Sequence, residues 1–177
     1  MIGKTMTSPR RPGKPGSTKP WPSRRDLLAA ATAVGGWAAI SPARAATTEL
    51  VATDHHNGLA IGGFDPVAYF VDGGAQPGKT AFEHAFAGVV WRFRNAGNQA
   101  AFVADPEVYM PRFGGYDPVG VARGVAVPGD PRLWLITDQR LYLFYTRDAR
   151  DAFADDVQGA GAQADGQWPA VQRTLSP

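Results

Sequence analysis

Leu133-Trp134-Leu135-Ile136-Thr137-Asp138-Gln139-Arg140-Leu141-Tyr142-Leu143-Phe144-Tyr145 is the stretch that decides the fold class. Leu133, Leu135 and Thr137 alternate with Trp134 and Ile136, and Leu141, Leu143 and Tyr145 alternate with Tyr142 and Phe144. Alternation at period two puts successive side chains on opposite faces, so these are two strands, and Asp138-Gln139 turns between them. Working back along the chain, Phe82 to Phe93 carries the same signature. Phe82, His84 and Phe86 share one face. After Ala87-Gly88, Val89, Trp91 and Phe93 point one way and Val90, Arg92 and Arg94 the other. Two aromatic-rich antiparallel hairpins are therefore expected.

Between and around them the signals change. Asn95 caps a helix over Ala96 to Val103 that Asp105-Pro106 ends, and a short turn at Glu107 to Met110 follows. Pro128-Gly129-Asp130-Pro131 is a loop, and Asp148 to Val157 reads as a last helix before a tail containing Trp168-Pro169. Upstream, Pro66 pushes Asp65 to an extended conformation from which it can cap a short element, and Asp72-Gly73-Gly74 closes that element. The fold class is α+β: one small domain of two hairpins, short helices and long Gly/Pro loops. Gly62-Gly63-Phe64-Asp65-Pro66-Val67 returns as Gly114-Gly115-Tyr116-Asp117-Pro118-Val119. The flanking hairpins do not align, so this reads as one turn solution used twice rather than as a repeat.

Composition narrows the function classes. The chain has 177 residues, 18 Lys+Arg against 16 Asp+Glu, and no cysteine. Disulfides, thiolate metal sites and thiol nucleophiles are excluded. Residues 1–45 hold eight of the basic residues and one acid, Asp26, so residues 46–177 carry a net charge of −5. A basic nucleic-acid footprint is absent from that acidic part.

The basic segment has its own organisation. Residues 1–26 are polar and rich in proline, Leu27 to Ile40 is apolar, and Ser41-Pro42-Ala43-Arg44-Ala45 ends in a small-x-small pattern. A 14-residue apolar run spans roughly 21 Å as a helix, short of about 30 Å of hydrocarbon. Ser23-Arg24-Arg25-Asp26-Leu27-Leu28 resembles a twin-arginine export signal. The resemblance implies residues 1–45 as signal peptide, cleavage after Ala45, and a periplasmic or secreted bacterial protein with no membrane span in its mature form. It also implies the twin-arginine machinery and signal peptidase as partners of the precursor. Residues 46–60 read as a flexible lead-in, residues 61–170 as the domain and residues 171–177 as a tail.

The segment order resembles the YHS domain family, in its exported bacterial form. The residues that carry the resemblance are Asp65-Pro66-Val67-Ala68-Tyr69-Phe70, then Trp91, Phe93, Asn98, Phe102, Ala104-Asp105-Pro106 and Tyr109-Met110-Pro111. Phe113-Gly114-Gly115-Tyr116, Gly120-Val121-Ala122, Asp130-Pro131, Trp134, Leu141-Tyr142-Leu143 and Trp168-Pro169 extend it over roughly residues 60–170. The resemblance implies transition-metal handling, of copper or zinc, partly through cysteine. After Gly114-Gly115-Tyr116 such relatives carry Cys-Ala, where this chain has Asp117-Pro118. A hard carboxylate stands in for a soft thiolate, which weakens the metal role.

The ligand inventory agrees. His55, His56 and His84 are the only histidines. Adjacent His55 and His56 face opposite ways on a strand, and His84 sits among apolar neighbours where a structural histidine is the better reading. A metal site would join a histidine such as His84 to Asp117 or Asp65. Ser41 and Ser176 are the only serines beyond Ser23, so a Ser-His-Asp hydrolase has no nucleophile, and Lys79 is the only lysine after residue 19. An enzyme ranks last. The expectation is a non-catalytic binding module for a small ligand or a protein partner, with no resident cofactor. Its candidate binding residues are Tyr69, Tyr116, Asp65 and Asp117, beside the two Gly-Gly loops. The alternative is a metal-handling accessory protein using His84 and Asp117.

Overall fold

The computed structural model describes residues 50–175, which belong to one compact unit. The export signal and the cleavage after Ala45 lie outside the described residues. In chain order the elements are a 3-10 turn Ile61–Gly63, α1 (Ala68–Val71), β1 (Lys79–Phe86), β2 (Val89–Phe93), α2 (Ala96–Ala104) and α3 (Pro106–Tyr109). A second 3-10 turn Arg112–Gly115 leads to α4 (Pro118–Ala122), β3 (Asp130–Thr137), β4 (Arg140–Phe144), α5 (Arg147–Asp155) and α6 (Val157–Leu175). The strands form two antiparallel two-stranded sheets, β1–β2 and β3–β4. This is the α+β arrangement expected, with both hairpins and the Asn95-capped helix in place: the Asn95 side chain accepts the Asn98 N–H at 2.8 Å.

The two hairpins belong to two copies of one unit, which corrects the reading of the Gly-Gly-aromatic-Asp-Pro echo as one turn solution used twice without a repeat. Ile61, Gly62 and Gly63 have φ of 42°, 65° and 79°, and Phe113, Gly114 and Gly115 have 54°, 63° and 89°. Asp65 N–H donates to Gln76 O at 2.8 Å, as Asp117 N–H does to Val127 O at 2.8 Å. Gly78 N–H reaches Gly63 O at 2.9 Å, and Gly129 N–H reaches Gly115 O at 3.0 Å. In the first sheet Lys79 faces Phe93, a bulge follows, and Glu83 faces Arg92. In the second, Asp130 faces Phe144, a bulge follows, and Trp134 faces Leu143.

Packing repeats as well. Phe102 lies 5.0 Å from Trp91 and 5.2 Å from Phe93, centroid to centroid, and Phe153 lies 4.9 Å from Tyr142 and 5.4 Å from Phe144. Thr146 caps α5 by accepting the Ala149 N–H, as Asn95 caps α2. Each unit thus runs turn, short helix, bulged hairpin, capped nine-residue helix. The offset between them is 52 residues at the glycines and 51 from Pro77 and Pro128 onward, so one residue is lost in the connection after α4.

The halves share their interior. Val51, Ile61, Tyr69, Trp91, Phe93 and Phe102 pack with Leu141 and Leu143 from the second hairpin. A second cluster joins Phe113, Tyr116 and Val121 to Ala164 and Val171 of α6. In the described part of the 46–60 segment Val51, Ala52, Leu59 and Ala60 are buried, the Ala52 N–H donates to Gly114 O at 2.8 Å and the Ile61 N–H donates to Ala52 O at 3.0 Å. This strand of backbone ties the two glycine turns together.

Where a last helix over Asp148 to Val157 was expected before a tail, the structure has α5 ending at Asp155 and a further helix, α6, over Val157–Leu175. Gly159, Gly161, Gly166 and Pro169 argue against a helix on propensity alone. Ala164, Trp168, Val171 and Leu175, however, form a stripe at helical spacing that covers the second aromatic cluster. Burial of that stripe outweighs the local cost, as tertiary packing does for most helices. Among the described residues no helix is long and apolar enough to cross a membrane.

Candidate functional site

Each half is organised around one buried carboxylate. Asp65 is 0% exposed and Asp117 5%. The proline after each fixes an extended approach, and the aspartate then bridges the start of the short helix to the end of the hairpin. Asp65 Oδ1 accepts the N–H groups of Val67 at 2.9 Å and Ala68 at 3.3 Å, and Asp117 Oδ1 accepts that of Val119 at 2.8 Å. Asp65 Oδ2 accepts Arg94 N–H at 2.8 Å, and Asp117 Oδ2 accepts the equivalent Tyr145 N–H at 3.1 Å. A buried carboxylate is tolerated only when its oxygens are satisfied, and these bonds do that work in both halves.

The halves then diverge. In the first, the Asn98 side-chain amide donates to Asp65 Oδ2 at 2.7 Å, and an ion pair from Arg94 to Asp72 at 2.7 Å lies beside it. In the second, the residues at those three positions are Ala149, Tyr145 and Gly124. The amide and the ion pair are gone, and among the described residues no side chain donates to Asp117. A cleft of about 470 Å³ lies there, lined by Asp117, Val119, Val127, Tyr145, Thr146, Asp148 and Ala149, with Arg123 and Ala152. Tyr145 is 62% exposed at its edge.

The other predicted site residues fall as follows. Asp65 and Tyr69 stand together in the first half, and both are interior. Tyr69, expected to bind a ligand, is 1% exposed; its hydroxyl donates to Pro131 O at 2.8 Å and its ring meets Trp134 edge-on at 5.6 Å. Burial, helped by the Asp130 and Asp65 charges, pushes that hydroxyl well above the ordinary tyrosine range. It is a clamp between the halves. Tyr116 is 4% exposed, 6.2 Å from the Trp168 ring, and lines a small cavity of about 220 Å³ with Thr53, His55 and Pro128.

His84 is half-buried on β1, in the other half from Asp117. Among the described residues no three His, Asp or Glu side chains form a group that could hold a metal ion. His55 and His56 line a further cavity of about 270 Å³ with Gly62, Pro128, Gly129 and Pro131. There Asp54 accepts the His56 N–H at 2.8 Å, a bond that lowers its pKa.

Of the four residues expected to bind a ligand, then, two line cavities: Asp117 the cleft of the second half and Tyr116 the smaller one. Sequence reasoning passed over Ala149 and did not commit to Tyr145 or Asp148 as site residues. The signal that finds them is the pairing of Ala149 with Asn98, visible only once the two halves are matched. No protein-family model, curated protein or solved structure matches the chain.

Proposed function

We propose that this chain is a non-catalytic binding module of the exported YHS type, and that its site is the cleft over Asp117 in the second half. One observation carries the reading. The same buried aspartate occurs twice, sealed by the chain's own amide in the first half and left open in the second. Between two copies of one fold, the copy that keeps its acceptor unsealed is the one equipped to receive a ligand. The cleft lining includes no histidine, lysine or serine. The Thr146 hydroxyl already accepts the Ala149 N–H, which suits holding a molecule rather than cleaving one.

The test is a fragment screen by ¹H–¹⁵N NMR on the mature protein recovered from the periplasm. The reading predicts shifts concentrated on Asp117, Val119, Tyr145, Thr146 and Ala149. Fragments that perturb only other surfaces would refute it. Stoichiometric copper or zinc in the purified protein, lost on His84→Ala, would replace it with the metal-handling role.

A further inference from the structure

The first half supplies a template for what the second half binds. In that template a nitrogen donor sits 2.7 Å from the buried carboxylate, on the same oxygen that the hairpin's last N–H already holds. At the matching place over Asp117, Oδ2 keeps only the Tyr145 N–H, at the longer distance of 3.1 Å. The position that an N–H donor fills in the first half is filled by no side chain over Asp117 among the described residues. We propose that the cleft takes a protonated primary amine, whose ammonium nitrogen occupies the position that Asn98 Nδ2 occupies in the first half. The proposal rests on the binding-module reading and sharpens it to a ligand class.

Three features favour a cation over a neutral amide. With a carboxylate that is 5% exposed, an ammonium brings charge to both sides of the hydrogen bond, where an amide leaves it on the acceptor alone. Asp148, in the first turn of α5, places a second carboxylate on the lining and counters the positive end of that helix. Tyr145 offers an exposed aromatic ring at the rim, of the kind that attracts organic cations. Val119, Val127, Ala149 and Ala152 give an aliphatic arm its apolar wall. Arg123 is the one cation in the lining and is exposed, so solvent screens it.

The experiment titrates the mature protein at neutral pH with n-butylammonium, butyramide and butyrate, following cleft resonances by NMR. Butylammonium is expected to bind at millimolar level and at least tenfold more tightly than the other two. Ala149→Asn restores the amide of the first half and should weaken butylammonium tenfold or more without lowering the thermal midpoint. Asp148→Asn should weaken it severalfold. Undiminished binding to Ala149→Asn, or equal binding of butyramide, overturns the amine assignment. If butyramide or butyrate shifts the cleft and butylammonium does not, the amine assignment fails while the binding module stands. If neither these probes nor a broad fragment set shifts any cleft resonance, both fail.

Discussion

At Gly114 an added Cβ would run into the Leu50 carbonyl oxygen, whereas at Gly62, its counterpart, the nearest atoms stand 3.8 Å away. Both residues have positive φ, 63° and 65°, so alanine is strained at either. Gly62→Ala should therefore cost about 1 kcal/mol, the left-handed penalty alone. Gly114→Ala should cost about 3 kcal/mol or more, because backbone must also move. Urea denaturation of the two variants checks the difference. Tyr69 gives a second residue-scale prediction. Tyr69→Phe leaves the Pro131 carbonyl without its donor and should lose about 1 kcal/mol at neutral pH. In the wild type the folded state holds the hydroxyl proton where the unfolded chain, with tyrosine's ordinary value of 10.0, releases it. That contribution is complete below pH 10 and falls as pH rises past it, so the gap between Tyr69→Phe and wild type should narrow in urea titrations at alkaline pH.

The hairpin turns make the prediction at the scale of elements. Ala87-Gly88 and Asp138-Gln139 are two-residue loops with positive φ at both positions, 53° and 78° in the first and 50° and 58° in the second. Such turns match the twist of the strands and favour Asn-Gly or Asp-Gly. Gln139→Gly should raise stability by about 0.5 kcal/mol, the relief of left-handed strain less the entropy of a glycine in the unfolded chain, measured by thermal unfolding. Hairpins and α2 were legible because period-two alternation and an Asn cap are local signals. The duplication was not. Its halves keep geometry while changing chemistry: Trp91 for Tyr142, Asn95 for Thr146, Asn98 for Ala149. One deleted residue also shifts the register between the glycine turns and the hairpins. Helix α6 was hidden for a different reason, since its glycines and Pro169 oppose the helix that packing on Phe113 and Tyr116 enforces. Of the site, Asp117 could be read from its Asp-Pro cap, whereas Ala149 is a small side chain that carries no motif.

For the molecule as a whole, charge divides into a basic segment at residues 1–45 and an acidic remainder of net −5. A net-negative body attracts cations and repels anions at long range. The export proposal is tested on the same scale: changing Arg24-Arg25 to Lys-Lys should leave the precursor in the cytoplasm by fractionation and immunoblotting, and normal export would contradict it. The central claim is that one unit is used twice, with its second copy left open over Asp117. The most direct measurement is the thermal unfolding of Asn98→Ala and Ala149→Asn side by side. The account predicts that Asn98→Ala lowers the midpoint, by removing a donor from a buried carboxylate, while Ala149→Asn holds or raises it by supplying one. If Ala149→Asn destabilises as much as Asn98→Ala, the two sites are not equivalent and the account is contradicted.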